Sequence, residues 1–466
     1  MTVLEGSPRA GGWLQSKRVE KPGGTILFET GPHTLRPTTL SGYAGLELIK
    51  QIDLEKEILW VSKDSTASKN RYVKYEDRLV LLRPPKRFIL DTYFLKEPLL
   101  RRAIGGVLKF GIKSPRRPAG MEDESVASWF ERRFNKHIAR YFVSALMHGV
   151  YAGDYKRLSM RSTFLKPLWD METAGKRFMK PPLEDDLFGA ELKMGMGLEL
   201  MRKASDSRMY SFKDGTESLS RRLTEKLKGQ VTIRTDSPVQ SIKSEGDQIK
   251  VRTGLQSQSF SHIISTIPLP HLFRTVPGPP KELVSSFPAA VTVAVVNLYY
   301  PGGSLIMPIH GFGYLIPKTD HGNLENALGV IIVSDGIQGQ DTGKYESGVK
   351  LTVMLGGHYW RGRTSYPSDD ELLAAAKNVV ARDLGITAEP SVNLVTLQRE
   401  CIPQYEVGHW ERIQKLEGYL DSTFGRERVK IVGSAVDGVG VNDCILSARR
   451  MAKRMGELAS LEDVLE

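Results

Sequence analysis

Three stretches of the chain carry residue types that hold anions or nucleotides. Near the start, Thr2-Val3-Leu4-Glu5 reads as a strand ending in an acid. A nucleotide-binding β-α-β unit sets a carboxylate at that place against a ribose hydroxyl. The basic loop that follows holds Arg9, Gly11, Gly12 and Trp13, two glycines where a tight turn needs them. Near the end, Val429 to Ile445 reads as a strand, a glycine turn around Gly438-Val439-Gly440 and a helix start. Backbone N–H groups meet an anion well in that geometry. Between them Arg71, after Lys69-Asn70, offers a guanidinium fork that suits a carboxylate. A full G-x-G-x-x-G is absent; Gly195-Met-Gly197, Gly311-Phe-Gly313 and Gly438-Val-Gly440 are partial echoes. The two cysteines, Cys401 and Cys444, form no CxxC pattern and support neither a zinc site nor a disulfide framework.

The elements that must position these residues follow from composition and periodicity. With 466 residues, 40% of them apolar, the chain is long enough for two or three domains. Its net charge of +11 suits an anionic partner. The charge is not interleaved with stacking aromatics, which argues against nucleic acid. Strands are predicted at 25–29, in a hairpin over 70–84, and at 231–233, 239–242, 249–251 and 262–268. Longer ones, Val291 to Tyr300, His310 to Pro317, Ala327 to Val333 and Val349 to Gly356, predict a large mixed sheet. Residues 87–165 read as helical. Seven Lys or Arg stand against the single acid Glu97 between Lys96 and Arg117, an amphipathic basic stretch suited to a membrane surface. No stretch is long and apolar enough to predict a spanning helix. Val126, Phe130, Phe134, Ile138 and Phe142 recur every fourth residue and predict one helix over roughly 124–148. Residues 170–206 read as a loop or insertion, and 369–384 as a helix. A last helix carries Ala448, Met451, Ala452 and Met455 on one face.

Taken in order, these stretches resemble a known family. Gly12-Trp13, Gly31-Pro32 with Leu35-Arg36-Pro37, Lys69-Asn70-Arg71, Gly149-Val150-Tyr151-Ala152-Gly153, Gly311-Phe312-Gly313-Tyr314-Leu315, Val353-Met354-Leu355-Gly356-Gly357, Cys401-Ile402-Pro403-Gln404-Tyr405 with His409-Trp410, and the closing glycine turn span almost the whole chain. The run is similar to the FAD amine-oxidase superfamily and, more narrowly, to the oxygen-dependent, mitochondrial, fungal-like protoporphyrinogen oxidases. The resemblance implies an α/β fold: an FAD-binding Rossmann-like unit truncated at its N-terminus, a mixed-sheet substrate domain and a helical membrane-binding domain. It divides the chain into FAD-binding parts at 1–86, 207–270 and 401–466, a helical part at 87–165, a loop or insertion at 166–206 and a substrate domain at 271–400.

The same resemblance implies FAD contacts from Glu5, Arg9, Gly11, Gly12, Trp13, Gly31, His33, Val239, Trp410, Val439 and Val441. For substrate it implies Arg71 on a propionate, with Gly153, Phe312, Leu315 and Met354 around the macrocycle. The implied reaction is oxidation of protoporphyrinogen IX to protoporphyrin IX in haem biosynthesis, with O₂ as acceptor and H₂O₂ as product. No metal and no acid or base residue is called for. The expected setting is the intermembrane-space side of the mitochondrial inner membrane, as a homodimer at the membrane surface. Because the first strand and glycine loop of the Rossmann-like unit are not found, the chain as written is expected to hold FAD poorly or not at all. The alternatives are an inactive truncated product or another flavin amine oxidase.

Overall fold

The computed structural model describes residues 1–82, 93, 96–113, 117–174, 183–302, 307–318 and 322–465. Strand β1 (Thr2–Leu4) leads through a loop to the hairpin β2 (Ser16–Lys21) and β3 (Gly24–Glu29). Helix α1 (Leu40–Gln51) starts where the Thr39 hydroxyl accepts from the Gly42 amide, a side-chain N-cap. Strand β4 (Ile58–Ser62) precedes a second hairpin, β5 (Tyr72–Tyr75) and β6 (Arg78–Leu81). Helices α2 (Pro98–Lys113), α3 (Val126–Arg133), α4 (Ser144–Tyr151), α5 (Lys166–Thr173), α6 (Leu183–Met196) and α7 (Leu198–Asp206) follow. Then come β7 (Ser207–Phe212), β8 (Thr232–Arg234), the meander β9 (Val239–Glu245), β10 (Gln248–Thr253) and β11 (Gln256–Phe260), and β12 (Ile263–Ser265). The remaining elements are β13 (Val291–Tyr300), β14 (Gly313–Leu315), β15 (Ala327–Ile332), β16 (Val349–Gly356), α8 (Asp369–Leu384), β17 (Val392–Ile402), α9 (His409–Phe424), β18 (Val429–Ile431) and α10 (Val441–Leu465).

Two parallel pairs, β1 with β8 and β12 with β18, share one core. Leu4, Ile263, Val429 and Ile431 pack there against Leu416 and Leu420 of α9 and against Ile242, Ile249 and Val251 of the meander. Helices α1 and α10 pack on each other beside this core. A Cβ on Gly45 of α1 would lie 2.5 Å from Asn442 Oδ1 of α10, so the absence of a side chain there permits the close approach.

The sheet expected to carry the substrate has seven strands in the order β17-β13-β16-β15-β14-β5-β6, in which β14 and β5 run parallel. All ten residues of β13 are buried, because both faces of this central strand are covered. Helix α8 covers one face with Leu372, Ala376, Val379 and Val380, packed on Leu298, Leu351 and Val353. It runs from a capping box of Ser368 and Glu371 to Gly385, as its periodicity predicts.

The structure corrects three expectations. The single helix expected over 124–148 is broken: α3 stops at Phe134, and Asn135 Oδ1 accepts from the Ile138 amide at 2.8 Å to start the wider-turned segment that runs into α4. The fourfold apolar spacing still marks one core, which Val126, Phe130 and Ile138 enter and Phe134 and Phe142 flank. Residues 166–206 are not a loop: α5, α6 and α7 occupy much of that segment, because Leu192, Met196, Leu200 and Ala204 find burial that their weak periodicity does not advertise. Residues 175–182 of it lie outside those described. Finally, the β5–β6 hairpin, assigned to the N-terminal FAD-binding part, extends the substrate sheet, and β17 carries that sheet on to Ile402.

Candidate flavin and substrate site

The N-terminal loop is built by its own polar groups. Glu5 follows β1, its amide donating to the Arg234 carbonyl at 2.8 Å, and its Oε1 accepts from the Ser7 amide (2.8 Å) and hydroxyl (2.7 Å). Arg9 folds back onto the carbonyls of Ala10 and Gly12 and lies 3.6 Å from Glu217. Gly11 and Gly12 take φ of +116° and +56°, which a side chain resists. Trp13 stands directly against Gly31: a Cβ on Gly31 would lie 2.2 Å from the Trp13 carbonyl oxygen. At the other end of the chain the Gly438 amide donates to the Tyr405 hydroxyl at 2.9 Å, and Asp443 accepts from the Gly440 amide at 3.3 Å, capping α10. Val439 borders the core of α3 and α4, and Val441 that of α1. Val239 packs on the core of the parallel pairs, whereas Trp410 stands 43% exposed on α9.

A strand-end carboxylate, an arginine, a glycine turn with positive φ and the amides at the start of a long helix form the donor set that a pyrophosphate-linked dinucleotide requires. The residues present therefore fit FAD. Glu5, Arg9, Gly11, Gly12 and the α10 start would hold its nucleotide half.

Between the two parts lies a cavity of about 290 Å³. Gly31 to Thr34 and Gly149 line it, and Met209, Phe312, Ile331 and Met354 supply apolar surface. Arg36, Arg71 and Arg208 line it as well. No carboxylate stands among its described lining residues.

Arg71 is held just before β5: its carbonyl accepts from the Leu82 amide at 2.7 Å, and the Asn70 carbonyl accepts from the Phe312 amide at 3.2 Å. The Arg71 pKa lies below the usual arginine value, first through burial and then through Arg208 and Arg36. Burial and Arg208 depress Arg36 in the same way, while Asp443 acts in the opposite sense.

His33 is buried, with Nδ1 2.9 Å from the Gly31 carbonyl and Nε2 3.0 Å from the Thr352 hydroxyl. Burial lowers its pKa to about 4, so the ring is neutral at neutral pH. Glu29, just ahead of this turn, accepts from the Thr216 amide (2.7 Å), the Thr216 hydroxyl (2.9 Å) and the Ser16 hydroxyl (2.7 Å). Burial raises its pKa to about 7. It braces the turn from behind and does not line the cavity.

Of the substrate residues expected from sequence, Arg71, Phe312 and Met354 converge on the cavity. Gly153 and Leu315 do not line it. A Cβ on Gly153 would meet Gln404 at 2.5 Å, so that residue is enclosed by its neighbours, and Leu315 packs behind Gly149. Gly149, at the start of the same glycine motif, is the one that faces the cavity. Arg36 and Arg208 were not singled out. Arg36 stands inside the Leu35-Arg36-Pro37 marker, but Arg208 reaches the site only through the register of β7, which no local signal reports.

Fold and site together define a flavin-dependent oxidoreductase. The chain belongs to the flavin containing amine oxidoreductases, whose family pattern matches residues 1–456. It is 31% identical over 475 residues to the protoporphyrinogen oxidase of Schizosaccharomyces pombe, covering 98% of this chain and 93% of that protein. It is 32% identical over 464 residues to the human protoporphyrinogen oxidase, with 97% and 92% covered. A crystal structure of a candidate protoporphyrinogen oxidase from Exiguobacterium sp. 255-15 has the same fold, with a TM-score of 0.74 at 21% identity over 97% of this chain and 92% of that one. Within its family the chain falls on the protoporphyrinogen oxidase branch.

Proposed function

We propose that this protein oxidises protoporphyrinogen IX to protoporphyrin IX in haem biosynthesis, with FAD as cofactor and O₂ as the final acceptor. The observation that carries the reading is the identity of 31–32% to protoporphyrinogen oxidases over nearly the full length of chain and relatives. The cavity agrees chemically. Its apolar walls suit a macrocycle, its arginines suit carboxylates, and no described lining carboxylate is there to hold an amine, which disfavours an amine oxidase.

The chemistry that FAD would supply at this site is hydride acceptance from the substrate and electron transfer on to O₂, with H₂O₂ as product. Three such oxidations aromatise the ring, each also releasing one proton. The chain's own residues bind and orient. Arg71 grips a propionate, Phe312 and Met354 flank the macrocycle, and Gly149 lets the ring lie close to the backbone. His33, neutral and held by Gly31 and Thr352, fixes the turn beside the cofactor; no side chain is required as acid or base. Contact with a mitochondrial inner-membrane surface through α2, and homodimer formation, belong to the same proposal.

Purified protein supplied with FAD should generate porphyrin fluorescence from protoporphyrinogen IX in air faster than the spontaneous reaction. Arg71→Ala should raise KM while the flavin spectrum stays intact, since a lost charged hydrogen bond costs about 1.5–3 kcal/mol. An unchanged KM would remove Arg71 from the substrate site.

A further inference from the structure

Arg36, Arg71 and Arg208 reach one cavity from three separate parts of the chain. Arg71 sits just before β5, Arg208 lies on β7, and Arg36 follows Leu35, which pairs with Tyr210 of β7. That bridge, with amide to carbonyl distances of 2.9 Å in both directions, sets Arg36 alongside residues 208 and 209. Asn442 of α10 fixes the Arg36 backbone further, donating to its carbonyl at 2.8 Å. Among the described residues none of the three guanidiniums has an ion pair with a carboxylate. Asp443, the acid whose field reaches Arg36, is turned to the Gly440 amide. Three like charges gathered without a counter-ion repel one another, a cost that a dianion would relieve. The groups fitted to the cofactor's phosphates, Arg9 and the turns at Gly11 and Gly438, are not among the lining residues.

We propose that Arg36 and Arg208 form a second carboxylate site, so that one rim of the cavity holds both propionates of the substrate, one on Arg71 and one on the Arg36–Arg208 pair. The inference rests on the tetrapyrrole reading above and deepens it. The rim thereby selects a macrocycle with two acidic arms on one side. An uncharged ring of the same size gains nothing from it.

The test uses full-length protein loaded with FAD, and the variants Arg36→Gln, Arg208→Gln and Arg208→Lys. Binding of protoporphyrin IX and of its dimethyl ester is followed by porphyrin absorbance, and KM is measured on the corresponding porphyrinogens. Each Gln variant should weaken diacid binding roughly tenfold and raise the diacid KM to match, the loss of one charged hydrogen bond. Binding of the dimethyl ester should be unaffected, and Arg208→Lys should recover most of the diacid affinity. Diacid binding equal to wild type in both Gln variants, or an equal loss for diacid and ester, overturns the second site. Wild-type protein that leaves protoporphyrinogen IX unoxidised overturns the parent reading instead, and shows this without any variant.

Discussion

The buried His148 and the half-buried His358 form a pair that the proposed reaction does not use. The His148 Nδ1–H donates to the Ile316 carbonyl at 2.6 Å, so its Nε2 accepts from His358 Nε2 at 2.8 Å, and the rings stack at 4.9 Å. That pattern requires the accepting His148 ring to be neutral, and burial holds the donor His358 neutral as well. Burial lowers His148 to about 4; burial and then the neighbouring His148 lower His358 to about 3. Asp154, which acts in the opposite sense on both, is itself paired with Lys318 at 2.6 Å. The unfolded chain binds protons near 6.5 and the folded one does not. Stability from this pair is therefore complete above about pH 6.5 and falls as pH drops toward 4. At pH 4.5 the loss should be about 2–3 kcal/mol per histidine. Urea midpoints at pH 7 and pH 4.5 measure it. His358→Gln should flatten the difference, and an unflattened profile would assign the acid sensitivity to other groups.

At the scale of elements, α2 shows how a pattern legible in sequence acquires two faces in the fold. Its inner face is set by packing: Phe110 stacks on Phe134 at 4.5 Å, and buried Gly106 lies against Asn135 and Ile138. The outer face leaves Val107 39% and Leu108 53% exposed beside exposed Arg101 and Lys109. Apolar residues flanked by cations on one face suit an anionic bilayer. No helix among the described residues is long and apolar enough to cross a membrane. Val107→Asp combined with Leu108→Asp should abolish flotation with cardiolipin-containing vesicles and leave the flavin spectrum unchanged. Flotation that survives places the membrane face elsewhere. Arg102 is a poorer probe than its charge suggests, because it donates to the Tyr75 hydroxyl at 3.1 Å and so also serves the fold.

At the scale of the molecule, residues some 400 positions apart must meet before either half of the site exists. Helices α1 and α10 do this at Gly45 and Asn442, and Arg449 of α10 pairs with Glu47 of α1 at 3.0 Å. Asn442 also pins Arg36, so one contact joins the helix start offered to the cofactor and the arginine rim offered to the substrate. Gly45→Val should force α10 outward, costing about 1–3 kcal/mol as an overpacked contact. It should lower both the melting temperature and the flavin retained through gel filtration. Loss of stability with full flavin content would separate the packing role from the cofactor role.

The family resemblance pointed to Arg71, Phe312 and Met354, and the sequence by itself determined the local elements: the strand leading to Glu5, the glycine turns, the helix over 369–384 and the strands of the mixed sheet. Each is written in a short window as a period of 2 or 3.6, a cap or a motif. Only the tertiary structure decided which elements join. It moved the β5–β6 hairpin into the substrate sheet, broke the helix expected over 124–148, turned a supposed loop at 166–206 largely into helices, and set Gly149 rather than Gly153 at the cavity. It alone gathered Arg36 and Arg208 beside Arg71. Strand register and helix contact depend on partners hundreds of residues away, and the energy that selects them comes from burial of surfaces that no local window contains.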